Sequence, residues 1–218
     1  TKGNLRDAPG CTGHIASPDV HVDDKRRKIR MYFHGPAKAG GGQKSFVALS
    51  KDGVHFEAKP EPLGLFYFRA FRYGDCWFAL AKGGVLHRSK DGLTPFERGH
   101  NPFPNGELRT GDLNEPGPRH LALLPQGDTL WVYYTCIGDA PERILRARID
   151  LTPNWQAWRT RDPVEVLRPR QDWEGADLPV QASKAGATKS RENALRDPAI
   201  FRDSDGRLYL LYSVAGES

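Results

Sequence analysis

Leu195-Arg196-Asp197-Pro198-Ala199-Ile200-Phe201 is followed by Arg202-Asp203-Ser204-Asp205-Gly206 and then by Arg207-Leu208-Tyr209-Leu210-Leu211-Tyr212-Ser213. An apolar run, an Asp-Gly turn and an aromatic run predict a β-hairpin, because glycine accepts the positive φ that such a turn needs. Pro198 cannot donate to a strand ladder, so it marks the beginning of the first strand. Arg196 and Asp197 are therefore expected at the mouth of that strand, either as part of a functional site or as a turn-capping ion pair.

The same pattern occurs three more times along the chain, over residues 14–35, 67–81 and 119–135. Each copy has a first strand, a polar turn and a returning strand that is rich in aromatic residues. The string Ser-Lys-Asp-Gly follows two of the copies, at residues 50–53 and 89–92. Residues 143–150 and 155–160 are predicted to supply the outer strands of the copy that begins at residue 119. Four short strands that recur roughly every 50 residues are typical of β-propeller blades.

The repeats predict an all-β chain that forms a single propeller domain over residues 1–218. About three and a half repeats are visible, whereas a propeller closes into a ring so that no strand edge stays exposed. We therefore expect an N-terminal blade and the outer strands of the last blade to lie outside this chain, with residues 1–13 as a linker. Closure by dimerisation is the alternative.

The composition of the chain limits the classes of partner that it is expected to bind. The net charge is +5, but the basic residues are scattered, and the one dense run, Lys25-Arg26-Arg27-Lys28, falls in a predicted hairpin turn. We expect a solvated loop there and no nucleic-acid partner. No apolar stretch is long enough to span a membrane, so no membrane partner is expected. Cys11, Cys76 and Cys136 lack metal-ligand spacing, and their odd number favours a reducing, cytoplasmic compartment.

The first strand of each propeller blade lines the central channel, so the residues at its mouth are candidates for a common site. The candidates at these positions are His14, Asp19, Arg69, Glu115, Arg119, His120, Arg196 and Asp197. Paired carboxylates are what glycoside cleavage requires, because one protonates the leaving oxygen and the other activates water or attacks the sugar. We therefore predict Asp19, Glu115 and Asp197 as catalytic residues. Arginine and histidine side chains beside them would bind the substrate.

Each candidate also has a structural interpretation. Asp19 would cap the turn after Pro18, and Glu115 would be an exposed loop carboxylate. The two histidines would be hydrogen-bonded channel residues, and Arg69 and Arg119 would pair with the carboxylates.

At these residues the chain resembles the five-bladed β-propeller glycoside hydrolases, the group that contains family 43 and relatives acting on arabinosides, xylosides and fructosides. Ser17-Pro18-Asp19-Val20-His21, followed by Met31-Tyr32-Phe33, is similar to the second-blade motif of that family. Arg196-Asp197-Pro198 is similar to the Arg-Asp-Pro of the fructan-cleaving relatives. The resemblance implies a five-bladed propeller, about four blades of which are represented here. It also implies that Asp19 orients the general acid and tunes its pKa, and that Asp197 binds sugar hydroxyls.

The chain departs from the family pattern at two carboxylates. The family has its general acid, a glutamate, at the mouth of the next blade, where this chain reads Tyr67-Phe68-Arg69-Ala70-Phe71. Its general base, an aspartate of the first blade, has no counterpart here. Glu115 is our own candidate for the acid and does not follow from the resemblance.

These observations predict a glycoside hydrolase with a carbohydrate substrate in the central funnel. The alternatives are a non-catalytic carbohydrate-binding propeller, a phosphorylase-like relative in which phosphate replaces water, and a propeller that serves only protein interaction. No cofactor is expected to be required, although a structural calcium or sodium ion in the channel is compatible with what relatives hold. The sequence does not predict the sugar, the linkage or the oligomeric state.

Overall fold

The structure, a computed structural model, describes residue 5 and residues 8–103 and 117–217. The chain divides into two compact units, Thr1–His100 and Asn101–Ser218. Among the described residues the ordered segments are β-strands and three short 3-10 turns, at Lys82–Gly84, Trp155–Ala157 and Asp172–Glu174. No helix in the described residues is long and apolar enough to cross a membrane.

The first unit contains two antiparallel sheets. The strands of its first sheet are β1 (Ala16–Asp23), β2 (Lys28–Pro36), β3 (Gln43–Ser50), β4 (Glu57–Ala58) and β5 (Gly64–Leu65), where β4 and β5 both pair with β3. The strands of its second sheet are β6 (Arg69–Tyr73), β7 (Cys76–Leu80), β8 (Leu86–Ser89) and β9 (Glu97–Arg98). In both sheets the first four strands pair in sequence order, which is the meander predicted for each repeat.

The second unit contains a four-stranded and a two-stranded antiparallel sheet. The strands of the larger sheet are β10 (Gly117–Gln126), β11 (Thr129–Ile137), β12 (Ile144–Asp150) and β13 (Thr160–Leu167). The smaller sheet pairs β14 (Arg196–Arg202) with β15 (Leu208–Ser213), which confirms the predicted hairpin. Gly206 has a φ of +86°, and Asp205 Oδ1 accepts a bond from the Arg207 N–H (2.9 Å), so the turn has the chemistry that the sequence predicted.

The outermost strand of the larger sheet lies later in the chain than predicted. We expected it over residues 155–160, but Trp155–Ala157 forms a 3-10 turn and β13 begins at Thr160. Trp155 and Trp158 are both buried, and the Trp158 indole N–H donates to the Thr152 carbonyl (3.1 Å). The prediction was wrong because the segment turns inward to bury these two rings, and the extended strand begins only after them.

The identical Ser-Lys-Asp-Gly strings form identical turns. In the first, Ser50 Oγ accepts a bond from the Gly53 N–H (2.9 Å), and Asp52 Oδ1 accepts bonds from the two following N–H groups at 2.9 and 2.8 Å. Ser89 and Asp91 accept the equivalent bonds in the second turn. The short polar side chains replace strand partners for the backbone, so the string marks where the third strand of each sheet ends.

The two turn glycines differ in the space around them, which gives a matched test of stability. Both have a positive φ, +78° at Gly53 and +68° at Gly92. A Cβ at Gly53 would meet only Ile29 Cδ1 at 3.2 Å, whereas one at Gly92 would lie 2.3 Å from Arg30 Nη1 and 2.6 Å from Tyr32 Oη. We expect Gly53→Ala to cost about 1 kcal/mol from backbone strain and Gly92→Ala about 2–4 kcal/mol, because overpacking adds to that strain. Urea unfolding of both variants measures the difference, and equal costs would contradict it.

Burial of His87 predicts a specific dependence of stability on pH. His87 is 1% exposed, packs against Phe68, and donates from Nδ1 to the Val85 carbonyl (3.1 Å). Burial lowers the pKa of His87 to about 4 from 6.5. Between about pH 6.5 and pH 4 the His87 side chain is therefore protonated in the unfolded chain but neutral in the folded chain. The free energy of unfolding decreases as the pH falls through this window.

We expect this group to contribute a loss of about 2 kcal/mol between pH 7 and pH 5. His87→Gln keeps a donor for the Val85 carbonyl but cannot titrate, so its unfolding free energy should fall by that much less over the same range. Denaturant unfolding at the two pH values measures both proteins. An equal loss in the parent and the variant would show that His87 is not responsible.

Candidate functional site

Three strands begin with a β-bulge that takes two residues out of the ladder. The register shifts between Ala16 and Asp19 in β1, and the displaced pairs in the three strands are Ser17-Pro18, Arg119-His120 and Asp197-Pro198. Ser17 and Asp197 have positive φ values of 51° and 48°. A bulge redirects side chains away from the sheet. The structural counterpart of Asp197 is therefore Ser17, and Asp19 occupies the next regular position along its strand.

Asp19 is the centre of a polar cluster in the first unit. Its Oδ2 accepts a bond from the Ala70 N–H of β6 (2.7 Å) and lies 3.1 Å from His21 Nε2. Arg69, which follows Phe68 at the beginning of β6, donates from Nη1 to the Ser17 carbonyl (3.1 Å). The Asp19 carboxylate thus ties the first strands of the two sheets together.

The surroundings of Asp19 keep it ionised. Burial by itself would raise the pKa of Asp19, but the bond and charge of His21, the charge of Arg69 and the Ala70 N–H outweigh burial and lower it. The side chain is 20% exposed, and its Oδ1 has no hydrogen-bond partner within the part of the chain that the structure describes. One carboxylate oxygen is therefore fixed by the protein and the other is open to a ligand.

Two predicted substrate-binding residues lie in the same unit. His14 is exposed before β1, and its ring lies edge-on to that of the buried His34, with 6.5 Å between ring centroids. The Arg69 guanidinium lies 5.3 Å from the centroid of the Tyr67 ring, a cation–π arrangement. The Arg69 side chain is thereby held over an aromatic face beside the Asp19 cluster.

A buried ionic network in the second unit holds the two other predicted arginines. Glu142 is fully buried; its Oε1 accepts a bond from Arg119 Nε and its Oε2 one from Arg196 Nε, both at 2.8 Å. Arg196 also pairs with Glu192 (2.7 Å) and Glu217 (3.2 Å). Burial would lower the pKa of Arg196, but the surrounding carboxylates raise it, so its charge is secure.

Arg119 extends this network into the long segment between β13 and β14. Its Nη1 donates to the Gly186 carbonyl (3.0 Å) and its Nη2 to the Lys184 carbonyl. Arg119 is 2% and Arg196 1% exposed, so both guanidinium groups are surrounded by protein atoms. We predicted these arginines as residues that touch substrate, but their burial indicates positioning residues instead. Glu142, which organises them, lies in the β11–β12 connection and carried no signal in the sequence.

His120 and Asp197 form a more accessible pair in the second unit. His120 Nδ1 lies 3.0 Å from Asp197 Oδ1, and Ser213 Oγ donates to Asp197 Oδ2 (3.3 Å). The His120 side chain is 10% exposed and that of Asp197 36%. Arg196 immediately precedes Asp197, so the Glu142 network fixes the backbone that presents this carboxylate. The pair offers a carboxylate and an imidazole to hydroxyl groups of a ligand.

His120, Asp197 and Glu217 bring three potential cation ligands within 4.8 Å of one another. Calcium prefers six to eight oxygen ligands. Here the protein offers two carboxylates and an imidazole nitrogen, and Glu217 is already paired with Arg196. This donor set does not fit calcium.

Glu115, the predicted proton donor, lies outside the described residues, so its position relative to these groups is still a prediction. Asp19 belongs to the first unit, whereas Asp197 and His120 belong to the second.

No protein-family model matches the chain. The uncharacterized protein R118 of Acanthamoeba polyphaga mimivirus is 40% identical over 211 residues, which cover 94% of this chain and 59% of that protein. The chain thus spans about three fifths of the length of this curated relative.

Solved structures identify the fold. A thermostable family-43 glycoside hydrolase aligns with 94% of this chain and 67% of its own, with a TM-score of 0.61 and 16% identity. A family-43 enzyme from Xanthomonas citri in complex with xylose aligns with 95% of this chain and 65% of its own, with a TM-score of 0.58 and 14% identity. At such identities the likeness establishes the fold alone. The chain shares the all-β fold of the family-43 glycoside hydrolases, which are five-bladed β-propellers, and aligns with about two thirds of the first of these chains.

Proposed function

We propose that this chain is part of a glycoside hydrolase that acts on a carbohydrate through the carboxylates of Asp19, Glu115 and Asp197. The observation that carries the proposal is the state of Asp19, an ionised carboxylate with one oxygen bound to the protein and the other open. The family-43 fold and the xylose bound by the Xanthomonas citri enzyme support a carbohydrate as the ligand.

The residues have different roles in this proposal. Glu115 donates the proton to the leaving oxygen, and Asp19 orients that acid and sets its pKa by its own negative charge. Asp197, steadied by His120, accepts hydrogen bonds from sugar hydroxyls. Arg196 and Arg119 act indirectly, because through Glu142 they hold the backbone that presents Asp197 and His120.

A specific observation favours a second candidate, a carbohydrate-binding propeller without catalysis. The start of β6, where the family resemblance implies a general acid, holds Phe68 and Arg69, and Phe68 is buried in the core of the first unit. A propeller that has lost its acid would keep hydroxyl-binding groups such as Asp197. The two candidates therefore differ in turnover and agree in sugar binding.

The experiment that separates them is hydrolysis of aryl arabinofuranosides, xylosides, fructosides and galactosides by the full-length protein and by Glu115→Gln. Turnover of one sugar that falls about 10²-fold or more in the variant supports the proposed acid. Turnover unchanged in the variant would remove Glu115 from the mechanism. Sugar binding by calorimetry without turnover of any substrate would favour the binding propeller.

A further inference from the structure

A cavity of about 630 Å³ lies within the first unit, between the β1–β2 hairpin and the beginning of β7. We name it the basic cavity and define it by its cationic and aromatic lining: Lys25, Lys28, Arg30, Arg72 and Trp77. It lies at the hairpin end of β1, and its lining includes His21, whose Nε2 lies 3.1 Å from Asp19 Oδ2. The basic cavity thus shares His21 with the Asp19 cluster, whereas its cationic residues belong to the cavity alone.

The lining of the basic cavity has a positive net charge, because it holds five lysine and arginine residues against two carboxylates, Asp23 and Asp24. Asp23, one of two carboxylates in the lining, is already paired with Arg26 at 2.9 Å. Within the described parts of the chain no carboxylate lies within ion-pair distance of Lys25, Lys28 or Arg72. Cations gathered around one space repel each other, and an anion in that space would relieve the repulsion.

Arg30 gives the cavity a fixed, pre-oriented cation. Its guanidinium lies 4.2 Å from the centroid of the Trp77 ring, and its Nη1 donates to Tyr32 Oη (3.0 Å) and to the Asp91 carbonyl (2.9 Å). These partners are neutral, so they hold the side chain without cancelling its charge. A guanidinium held in this way loses little entropy when it binds a phosphate oxygen.

We propose that the basic cavity binds a phosphorylated small molecule. Phosphate groups match both the planar guanidinium of Arg30 and the mobile ammonium groups of Lys25 and Lys28. The volume exceeds that of a single phosphate ion by a wide margin, so the ligand carries either a second phosphate or a sugar-sized body. This ligand goes beyond the proposed glycosidase activity, although the cavity adjoins the Asp19 cluster through His21.

The test is calorimetric binding of inorganic pyrophosphate and of glucose 6-phosphate to the full-length protein at about 0.1 M salt, where long-range surface charge is screened. The variant Lys25→Gln/Lys28→Gln/Arg72→Gln removes three exposed cations of the cavity. The control Lys38→Gln/Lys51→Gln/Arg98→Gln removes the same charge from exposed positions that do not line it. The substituted side chains are exposed in both triple variants, so both are expected to fold.

We expect one or both probes to bind, with affinity reduced at least tenfold in the cavity variant and less than threefold in the control. The preferred probe then shows whether the site selects a second phosphate or a sugar phosphate. Equal losses in both triple variants would mean attraction by net charge alone and would overturn the proposal. So would the absence of binding by either probe to the parent protein.

Discussion

Glu142→Gln is expected to lower the free energy of unfolding by about 3–5 kcal/mol. Glu142 is fully buried and is the shared partner of Arg119 and Arg196, each at 2.8 Å. The amide keeps the size of the side chain but removes its charge. Two buried guanidinium groups then lose their common counter-ion, and one of them must face an N–H donor.

Glu165→Gln is the matched control, because Glu165 also binds two arginines but does so at the surface. It contacts Arg143 (3.3 Å) and Arg168 and keeps 31% exposure. Exposed ion pairs contribute less than about 1 kcal/mol, so this variant should unfold almost as the parent does. Denaturant unfolding of the two variants gives the comparison. If Glu142→Gln cost no more than Glu165→Gln, the buried network would not support the fold.

The second large effect concerns activity. We expect Asp19→Asn to reduce turnover about 10²-fold or more while the protein stays folded. The asparagine oxygen can still accept the bond from the Ala70 N–H, but the negative charge is gone. If Asp19 raises the pKa of the proton donor, its neutralisation lowers that pKa, so the alkaline limb of the pH–rate profile should move to lower pH.

Asp24→Asn is the control for Asp19→Asn, because it makes the same chemical change at an exposed position of the β1–β2 turn. Its turnover and pH profile should match those of the parent. The pH–rate profiles of both variants against the best aryl glycoside decide the matter. Lower turnover in Asp19→Asn with an unmoved alkaline limb would assign Asp19 to substrate binding and end its role in tuning the acid.

Local chemistry explains how much of the fold the sequence predicts. The hairpin at Asp205-Gly206 and the two Ser-Lys-Asp-Gly turns depend on hydrogen bonds between residues that are neighbours in sequence. These turns can therefore be predicted from their own residues. The strand order follows, because short connections force neighbouring strands to pair. The outer strand expected at residues 155–160 failed for the opposite reason, since burial of Trp155 and Trp158 is decided by the tertiary core.

The site was less predictable because its parts meet across long separations in sequence. Asp19 and His21 are neighbours that a pattern can indicate, but the Ala70 N–H that fixes Asp19 is a backbone group with no sequence signature. Glu142 lies 23 residues from Arg119 and 54 from Arg196. A glutamate in a loop gives no sign that two arginines will converge on it, so both arginines were predicted to bind substrate.

The bond between Asp19 and the Ala70 N–H also bears on how related genomes should be interpreted. A descendant that had abandoned catalysis would still be under selection to keep an aspartate or asparagine at position 19, because without that acceptor a backbone donor of β6 would lose its partner. The presence of this aspartate in a homologue is therefore a poor marker of enzymatic activity. A catalytic residue without a structural role would be lost first. Its absence from a homologue would therefore indicate that catalysis has ended in that lineage.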